Sequence, residues 1–256
     1  MTLPVLVINR AADDDRLDRF RQSAERFRIG FQVISALDGH DADFPFAEYA
    51  DLIGDAFWGE PEIKPGAIGC FLSHRLAWQT LLDAGHERAL VCEDDAVFHV
   101  GLGEIDEIAS GADVVFANSR MSAWAQAAGY AAATPLPVVV STLAALGGAR
   151  ALSLKAAPGA DAYVLTASGA RRLLEITARQ GIVCGVDWAM LRAALPGVDD
   201  QMAQSFQELE LLRDLATSPP VAAMVLTKPL AGQADGMPST IRHRVTVPIA
   251  SLGLPR

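Results

Sequence analysis

"ALVCEDDAVF", residues 89–98, decides how the rest of the chain is read. Its first four residues, Ala89 to Cys92, form a short apolar run with a β-branched valine, the pattern of a strand buried on both faces. Three carboxylates follow at once: Glu93, Asp94 and Asp95. An unpaired carboxylate beside a core is costly, so a buried strand running into three of them is expected to meet a positive charge. A second acidic triple, Asp13-Asp14-Asp15, provides a contrast, because it precedes Leu17, Phe20, Ala24 and Phe27 at helical spacing. Acids there are expected to cap a helix and complement its dipole. The triple at 93–95 ends a strand instead, and the carboxyl edge of an open α/β sheet is where ligands bind.

The flanking segments alternate strand and helix. Leu3 to Asn9 reads as a buried parallel strand, Asp14 to Arg28 as a helix, and Phe31 to Leu37 as a second strand ended by the turn pair Asp38-Gly39. This β-α-β unit implies a parallel sheet with a right-handed crossover. Residues 40–65 read as a loop excursion, and a strong helix spans Gly66 to Ala84. Beyond the acidic strand, a short helix is expected near 102–110 and further strands at 113–117, 162–165 and 221–226. Helices are expected from Ala170 to Thr177 and over 187–195 and 200–215, with residues 119–158 as a long mobile or ligand-covering segment. From about 228 to 256 the chain reads as an extended, proline-containing tail. The alternation predicts one α/β domain over residues 1–256, a Rossmann-like, mostly parallel sheet flanked by helices.

Composition narrows the function. In 256 residues, 51% are hydrophobic, enough for one full core. The net charge of −10 excludes a broad nucleic-acid surface. No apolar stretch reaches membrane-spanning length, and the opening Met1-Thr2-Leu3-Pro4 lacks a signal-peptide pattern, so a cytoplasmic protein is expected. Arg242, His243 and Arg244 form a small basic cluster suited to peripheral contact with the inner membrane, although three residues attract lipid only marginally. Cys70, Cys92 and Cys184 lie in apolar contexts and read as buried free thiols.

If the extended backbone continued past residue 92, Glu93 and Asp95 would fall on one side with Asp94 between them. Paired carboxylates suit a hard cation, Mg²⁺ or Mn²⁺, that completes its shell with phosphate oxygens. The missing positive charge would then be a metal carrying a diphosphate. Just upstream, "PGAIGCFLSHRLAW" (65–78) sets Ser73 and His74 in an apolar helix, which in isolation is a core helix with one buried histidine.

Together these segments resemble glycosyltransferase family 25, the bacterial lipopolysaccharide glycosyltransferases and their collagen galactosyltransferase relatives. "VINRAADDDRLDRF" (7–20) is similar to the family's opening strand and Asp-Arg pair, and "ALDG" (36–39) to its second-strand ending. "PGAIGCFLSHRLAW" resembles its Gly-x-x-Gly-Cys-x-x-Ser-His-x-x-x-Trp segment, and "EDDA" (93–96) its acidic motif. "GADAYVLTASGARRLL" (159–174), "VDW" (186–188) and "KPLAGQADGMPSTI" (228–241) follow in the family's order. Arg10 stands where the family usually has Leu, and residues 121–157 do not align.

The resemblance implies a GT-A type fold with a nucleotide sugar at the strand ends. It implies inverting transfer of a hexose, often galactose from UDP-galactose, to a sugar hydroxyl of a lipopolysaccharide or related glycan. Glu93 and Asp95 would hold Mn²⁺ or Mg²⁺. Asn9, Arg16, Asp38, Gly39, Ser73, His74, Asp94, Gln233 and Ser239 would serve the donor, although Arg16 alone reads as a surface cation. An inverting transfer needs a carboxylate base on the acceptor side. Asp187 is the first choice for it, with a helix N-cap as its ordinary alternative, and Asp161 is the second. Two other readings stay open: a nucleotide-sugar-binding relative without catalysis, and a metal-dependent phosphate-transfer or hydrolysis enzyme, for which no Gly-rich P-loop is present.

Overall fold

A computed structural model describes residues 3–103, 111–130, 137–140, 158–195, 220–234, 246–252 and 254. The elements in chain order are β1 (Val5–Asn9), α1 (Asp14–Arg26), β2 (Gln32–Ser35), a 3₁₀ turn (Phe46–Leu52), β3 (Glu62–Ile63) and α2 (Pro65–Asp83). Then come β4 (Arg88–Glu93), β5 (Ala96–Phe98), β6 (Val114–Phe116), α3 (Ser119–Ala127), β7 (Pro137–Val139), β8 (Ala162–Thr166) and α4 (Ala167–Gln180). The described chain ends with α5 (Val186–Ala194), β9 (Ala223–Leu226), β10 (Ala231–Gln233), β11 (Val247–Pro248) and a second 3₁₀ turn, Ile249–Leu252.

Seven strands form one sheet in the order β2-β1-β4-β8-β6-β9-β7. β1 is parallel to β2 and β4, and β6 is parallel to β9, whereas β8 and β7 run antiparallel to their neighbours. The sheet is therefore mostly parallel, as expected, with two reversed strands. Successive residues point to opposite, equally buried layers. Leu6, Ile8, Ala89 and Val91 pack on the α2 side, while Val5, Val7, Leu90 and Cys92 pack on the α1 side. Burial on both faces is why these strands read as continuous apolar runs rather than alternating ones.

The reversal of β8 gathers distant residues at one edge. The carboxyl ends of β1, β2, β4 and β6 lead into Asn9, Asp38, Glu93 and Arg120, and the same edge is where β8 starts, just after Asp161.

Helix α2 is buried along most of its length, with Phe71, Leu72, Trp78 and Leu81 all at most 2% exposed. Pro65 opens it with φ already set for a helix. Its first turns lie directly on the loop after β2. A Cβ on Gly69 would come within 2.5 Å of both Gly39 N and Leu37 O, and one on Gly39 within 1.9 Å of Pro65 O. The close approach forces glycine at both positions. Gly69→Ala is expected to destabilise the protein by about 1–3 kcal/mol or more, as overpacking does. Chemical denaturation of wild type and variant checks this, and equal midpoints would contradict the contact.

Several expectations change. Asp94 and Asp95 lie in a turn, and an additional strand, β5, follows them. The expected tail from 228 is partly built into the fold, since β10 pairs with β5 and β11 pairs with β3. The segment 119–158 contains helix α3, capped by the Asn118 side chain accepting from Met121 N at 2.9 Å, and strand β7. Asp13 occupies the cap position of α1 but makes no side-chain cap; its carboxylate pairs with Arg10 instead. The helices expected near 102–110 and over 200–215, Ser239, and the cluster Arg242–Arg244 lie largely or wholly outside the described residues. Among the described residues, no helix is long and apolar enough to cross a membrane.

Candidate active site

The acidic stretch meets its first positive charge within the protein. Arg16, on α1, donates from Nε to Asp94 Oδ1 at 2.6 Å, and its NH2 lies 3.1 Å from Asp95 Oδ2. Only 14% of its side chain is exposed, so it is a half-buried counter-ion rather than a surface cation. Asn9, at the end of β1, donates to Asp94 Oδ2 at 2.8 Å. Gln233, on β10, donates to Asp95 Oδ2 at 3.0 Å, so it holds the acidic turn itself.

These partners leave one atom unanswered. Asp95 is 4% exposed, and its Oδ1 is buried with no hydrogen-bond partner among the described residues. Burial, then the nearby Glu93 carboxylate, pushes the Asp95 carboxyl up to about 7, against the pull of Arg16. An orphaned, reluctantly ionised carboxylate oxygen beside another carboxylate is a donor set that fits a hard divalent cation. Because the backbone turns at 94–95, this set comes from the turn and not from strand alternation.

Glu93, whose charge acts on Asp95, also reaches α2. Trp78 Nε1 donates to the Tyr163 oxygen at 2.7 Å, and Tyr163 lies 2.8 Å from His74 Nδ1. Tryptophan can only donate, and the arrangement that uses every proton sends the tyrosine proton to Nδ1 and leaves the histidine proton on Nε2. Nε2 faces Glu93 Oε1 at 3.4 Å. Burial raises the Glu93 pKa, but His74, Arg120 and Arg16 outweigh it and the net shift is downward. Glu93 is thus an ionised carboxylate held by a buried chain of side chains. His74 and Tyr163 are fully buried, yet His74 borders the cleft.

The cleft, about 520 Å³ including its open mouth, is bordered by Arg10, Asp38, Gly39, Cys70, His74 and Glu93 among others. Arg10 grips Asp13 through Nε and NH2, at 2.7 and 3.0 Å, and reaches Asp38 Oδ2 at 2.6 Å. Asp38 Oδ1 accepts from His40 N at 3.0 Å, a turn contact. Ser73 donates to Gly69 O and accepts from Leu37 N, at 2.7 and 2.8 Å, so it fastens α2 to the loop after β2. Cys92 and Cys184 are buried thiols as expected, but Cys70 is only half-buried and lines the cleft.

The two candidate bases differ in access. Asp161 is 2% exposed and ion-paired with Arg120 NH2 at 2.6 Å. Asp187 is half-buried. It is not an N-cap, since Gly185 takes that position and Asp187 stands in the first turn of α5. Its Oδ2 accepts from Gly159 N at 3.1 Å and its Oδ1 from Trp188 N at 2.9 Å. Burial raises the pKa of both aspartates, against Arg120 for Asp161 and against the two backbone N–H groups and Arg120 for Asp187. Trp188 is 6% exposed and packs edge-to-face on Trp58 at 6.0 Å, so it serves the core and offers no platform to a sugar.

Arg120 is the residue that sequence reading missed. It stands on α3, where its charge acts on Asp161, Glu93 and Asp187 together. Gly159, at φ +74°, packs on its guanidinium, and an added Cβ would lie 2.3 Å from NH2. A cation two residues past the Asn118 cap, beyond a buried strand, is the signal that could have found it.

Three comparisons bear on this geometry. The family model described as Glycosyltransferase family 25 (LPS biosynthesis protein) matches residues 2–190. Procollagen galactosyltransferase 1 of Danio rerio is 33% identical over 101 residues, 38% of this chain and 17% of that protein. Inactive glycosyltransferase 25 family member 3 of Homo sapiens is 34% identical over 99 residues, 37% of this chain and 16% of that protein. The matches thus span about a sixth of the length of these relatives. Among solved structures, the galactosyltransferase LgtC, in complex with donor and acceptor sugar analogues, is 12% identical with a TM-score of 0.39, over 91% of this chain and 87% of that one. The family match runs from β1 through the acidic turn to Asp187, and the chain belongs to glycosyltransferase family 25.

Proposed function

We propose that this chain is an inverting hexosyltransferase of the GT-A type. It would move a sugar, galactose from UDP-galactose in the first instance, to a hydroxyl of a lipopolysaccharide or related glycan. The observation that carries the reading is the acidic turn, which borders the cleft at Glu93 and Asp94: Glu93 is ionised, Asp94 is paired with Arg16, and Asp95 beside them keeps an unpartnered buried oxygen. Family membership supports transfer chemistry, and galactosyltransferase relatives support the choice of sugar.

Glu93 and Asp95 would hold Mg²⁺ or Mn²⁺, which supplies charge neutralisation for a departing diphosphate. Asn9, Arg16 and Gln233 act one step back by fixing Asp94 and Asp95. Arg10 and Asp38 border the cleft and would meet the nucleoside, and Gly39 and Ser73 keep that wall in place. Asp187 takes the proton of the acceptor hydroxyl as its oxygen attacks the anomeric carbon from the face opposite the diphosphate. Its lesser burial favours it over Asp161, whose carboxylate is sealed against Arg120. The reaction would take place on the cytoplasmic side, with the glycolipid acceptor bringing the protein to the inner membrane.

A second reading, a nucleotide-sugar binder without catalysis, is favoured by the resemblance to relatives named inactive. A screen of nucleotide sugars with Mn²⁺, following nucleoside diphosphate release with and without glycan acceptors, separates the two. Acceptor-dependent release from one donor is the expected result. Metal-dependent nucleotide binding with no release from any donor would establish the second reading, and release independent of acceptor would indicate a hydrolase.

A further inference from the structure

Cys70 and His74 are four residues apart on α2, on one face of the helix, and Glu93 ends the neighbouring strand β4. One ligand atom from each, Cys70 Sγ, a His74 ring nitrogen and a Glu93 carboxylate oxygen, lie within 4.8 Å of one another. All three residues border the cleft, so the cluster has an entrance. We propose that they form a binding site for a borderline-soft divalent cation such as Zn²⁺ or Co²⁺, with the remaining coordination position open to the cleft.

The spacing supports this. His74 Nε2 and Glu93 Oε1 are 3.4 Å apart, long for a strong hydrogen bond. Two ligand atoms about 2.0–2.1 Å from one tetrahedral ion are separated by about 3.3 Å. A sulfur ligand to the same ion would stand about 3.6 Å from either, so a set spanning up to 4.8 Å has to contract on binding. The ring is held from behind, as metal-bound histidines are, by Tyr163 at Nδ1, and Tyr163 is held by Trp78. Thiolate, imidazole and one carboxylate with an open position suit zinc-like ions, and Mg²⁺ least.

Binding rearranges protons without redox change. The Cys70 S–H bond gives way to S–metal, and that proton is released. The Nε2 proton is exchanged for one on Nδ1, which then donates to the Tyr163 oxygen, so the ring stays neutral. One proton is released per ion. Burial and the nearby carboxylates push the Cys70 thiol well up, so the sulfur is protonated until the ion arrives. Glu93 is shared with the Mn²⁺ or Mg²⁺ position proposed above, so a soft ion here removes a ligand from the donor site. The site itself stands without the transferase reading.

The test is a Co²⁺ titration of the reduced, metal-free full chain followed by absorption. One equivalent should give a near-UV thiolate charge-transfer band, release about one proton, and be displaced by Zn²⁺. Cys70→Ser should abolish the band with an unchanged circular dichroism spectrum, and Cys184→Ala should keep it. In the unmutated protein, one equivalent of Zn²⁺ should slow alkylation of Cys70 at least about tenfold, and Mg²⁺ should not. Absence of the thiolate band, its survival in Cys70→Ser, or an alkylation rate unchanged by Zn²⁺ would overturn the proposal.

Discussion

Asp187→Asn is expected to lower turnover by about 10²-fold or more, the usual contribution of a positioned general base, while the affinity for UDP stays within about twofold. The asparagine keeps the shape of the side chain, but its single oxygen can accept from only one of Gly159 N and Trp188 N, so circular dichroism and UDP affinity check that the site stays folded. With the fold and UDP affinity kept, the lost turnover would report lost proton acceptance. The wild-type profile should carry the same signature. Burial raises the Asp187 pKa, the base works only when unprotonated, and turnover should therefore climb with pH through a limb above the ordinary aspartate range. Steady-state kinetics across pH with saturating donor measure both. A variant that loses UDP affinity but keeps its rate would move Asp187 to the donor pocket and make Asp161 the base.

The second large effect concerns Asp95. Asp95→Asn should reduce transfer by about 10²-fold or more by removing a carboxylate from the proposed cation set, yet it should stabilise the metal-free protein at neutral pH. The sign follows from proton binding. Folding raises the Asp95 pKa from about 3.9 to about 7, so the folded state binds more protons than the unfolded state between those values. Stability contributed by this group is then full below about pH 4, is lost progressively as pH rises from there, and is gone above about 7. Asparagine mimics the neutral form and escapes the loss, which at about 1.4 kcal/mol per unit amounts to roughly 1–4 kcal/mol by pH 8. Denaturation at pH 5 and pH 8 measures the difference: the variant's advantage over wild type should be clearly larger at pH 8 than at pH 5. Equal pH dependence would contradict a strained, orphaned carboxylate, and wild-type turnover by the variant would remove Asp95 from the site.

What could be read in advance was what local pattern encodes. Strands buried on both faces announced themselves as apolar runs, and α2 by its length and amphipathic interruption at Ser73 and His74. The acidic triple was correctly placed at the end of a strand, because that needs only neighbours in sequence. Its geometry was not legible, since the turn at 94–95 is set by β5 pairing with β10, more than 130 residues on. The same distance hid the partners. Arg16 reaches Asp94 across 78 positions, and Gln233 reaches Asp95 across 138. Arg120 lay in a stretch so rich in alanine that no helical face stood out, although Asn118 caps that helix. Reading the cysteines by themselves also concealed Cys70 and His74, whose helical spacing becomes a pair of adjacent ligands only once Glu93 arrives from β4.

The central claim is that this sheet edge binds a nucleoside diphosphate through a cation held by Glu93 and Asp95. Calorimetric titration of the full chain with UDP, in Mn²⁺ and again in chelator, tests it most directly. A diphosphate approaching ionised Glu93 and its aspartate neighbours without a cation is repelled at short range. The account predicts that UDP binds at least about tenfold more tightly with Mn²⁺ than in chelator, a difference of about 1.4 kcal/mol, and that Asp95→Asn loses most of that gain. Equal affinity for UDP in Mn²⁺ and in chelator would contradict it.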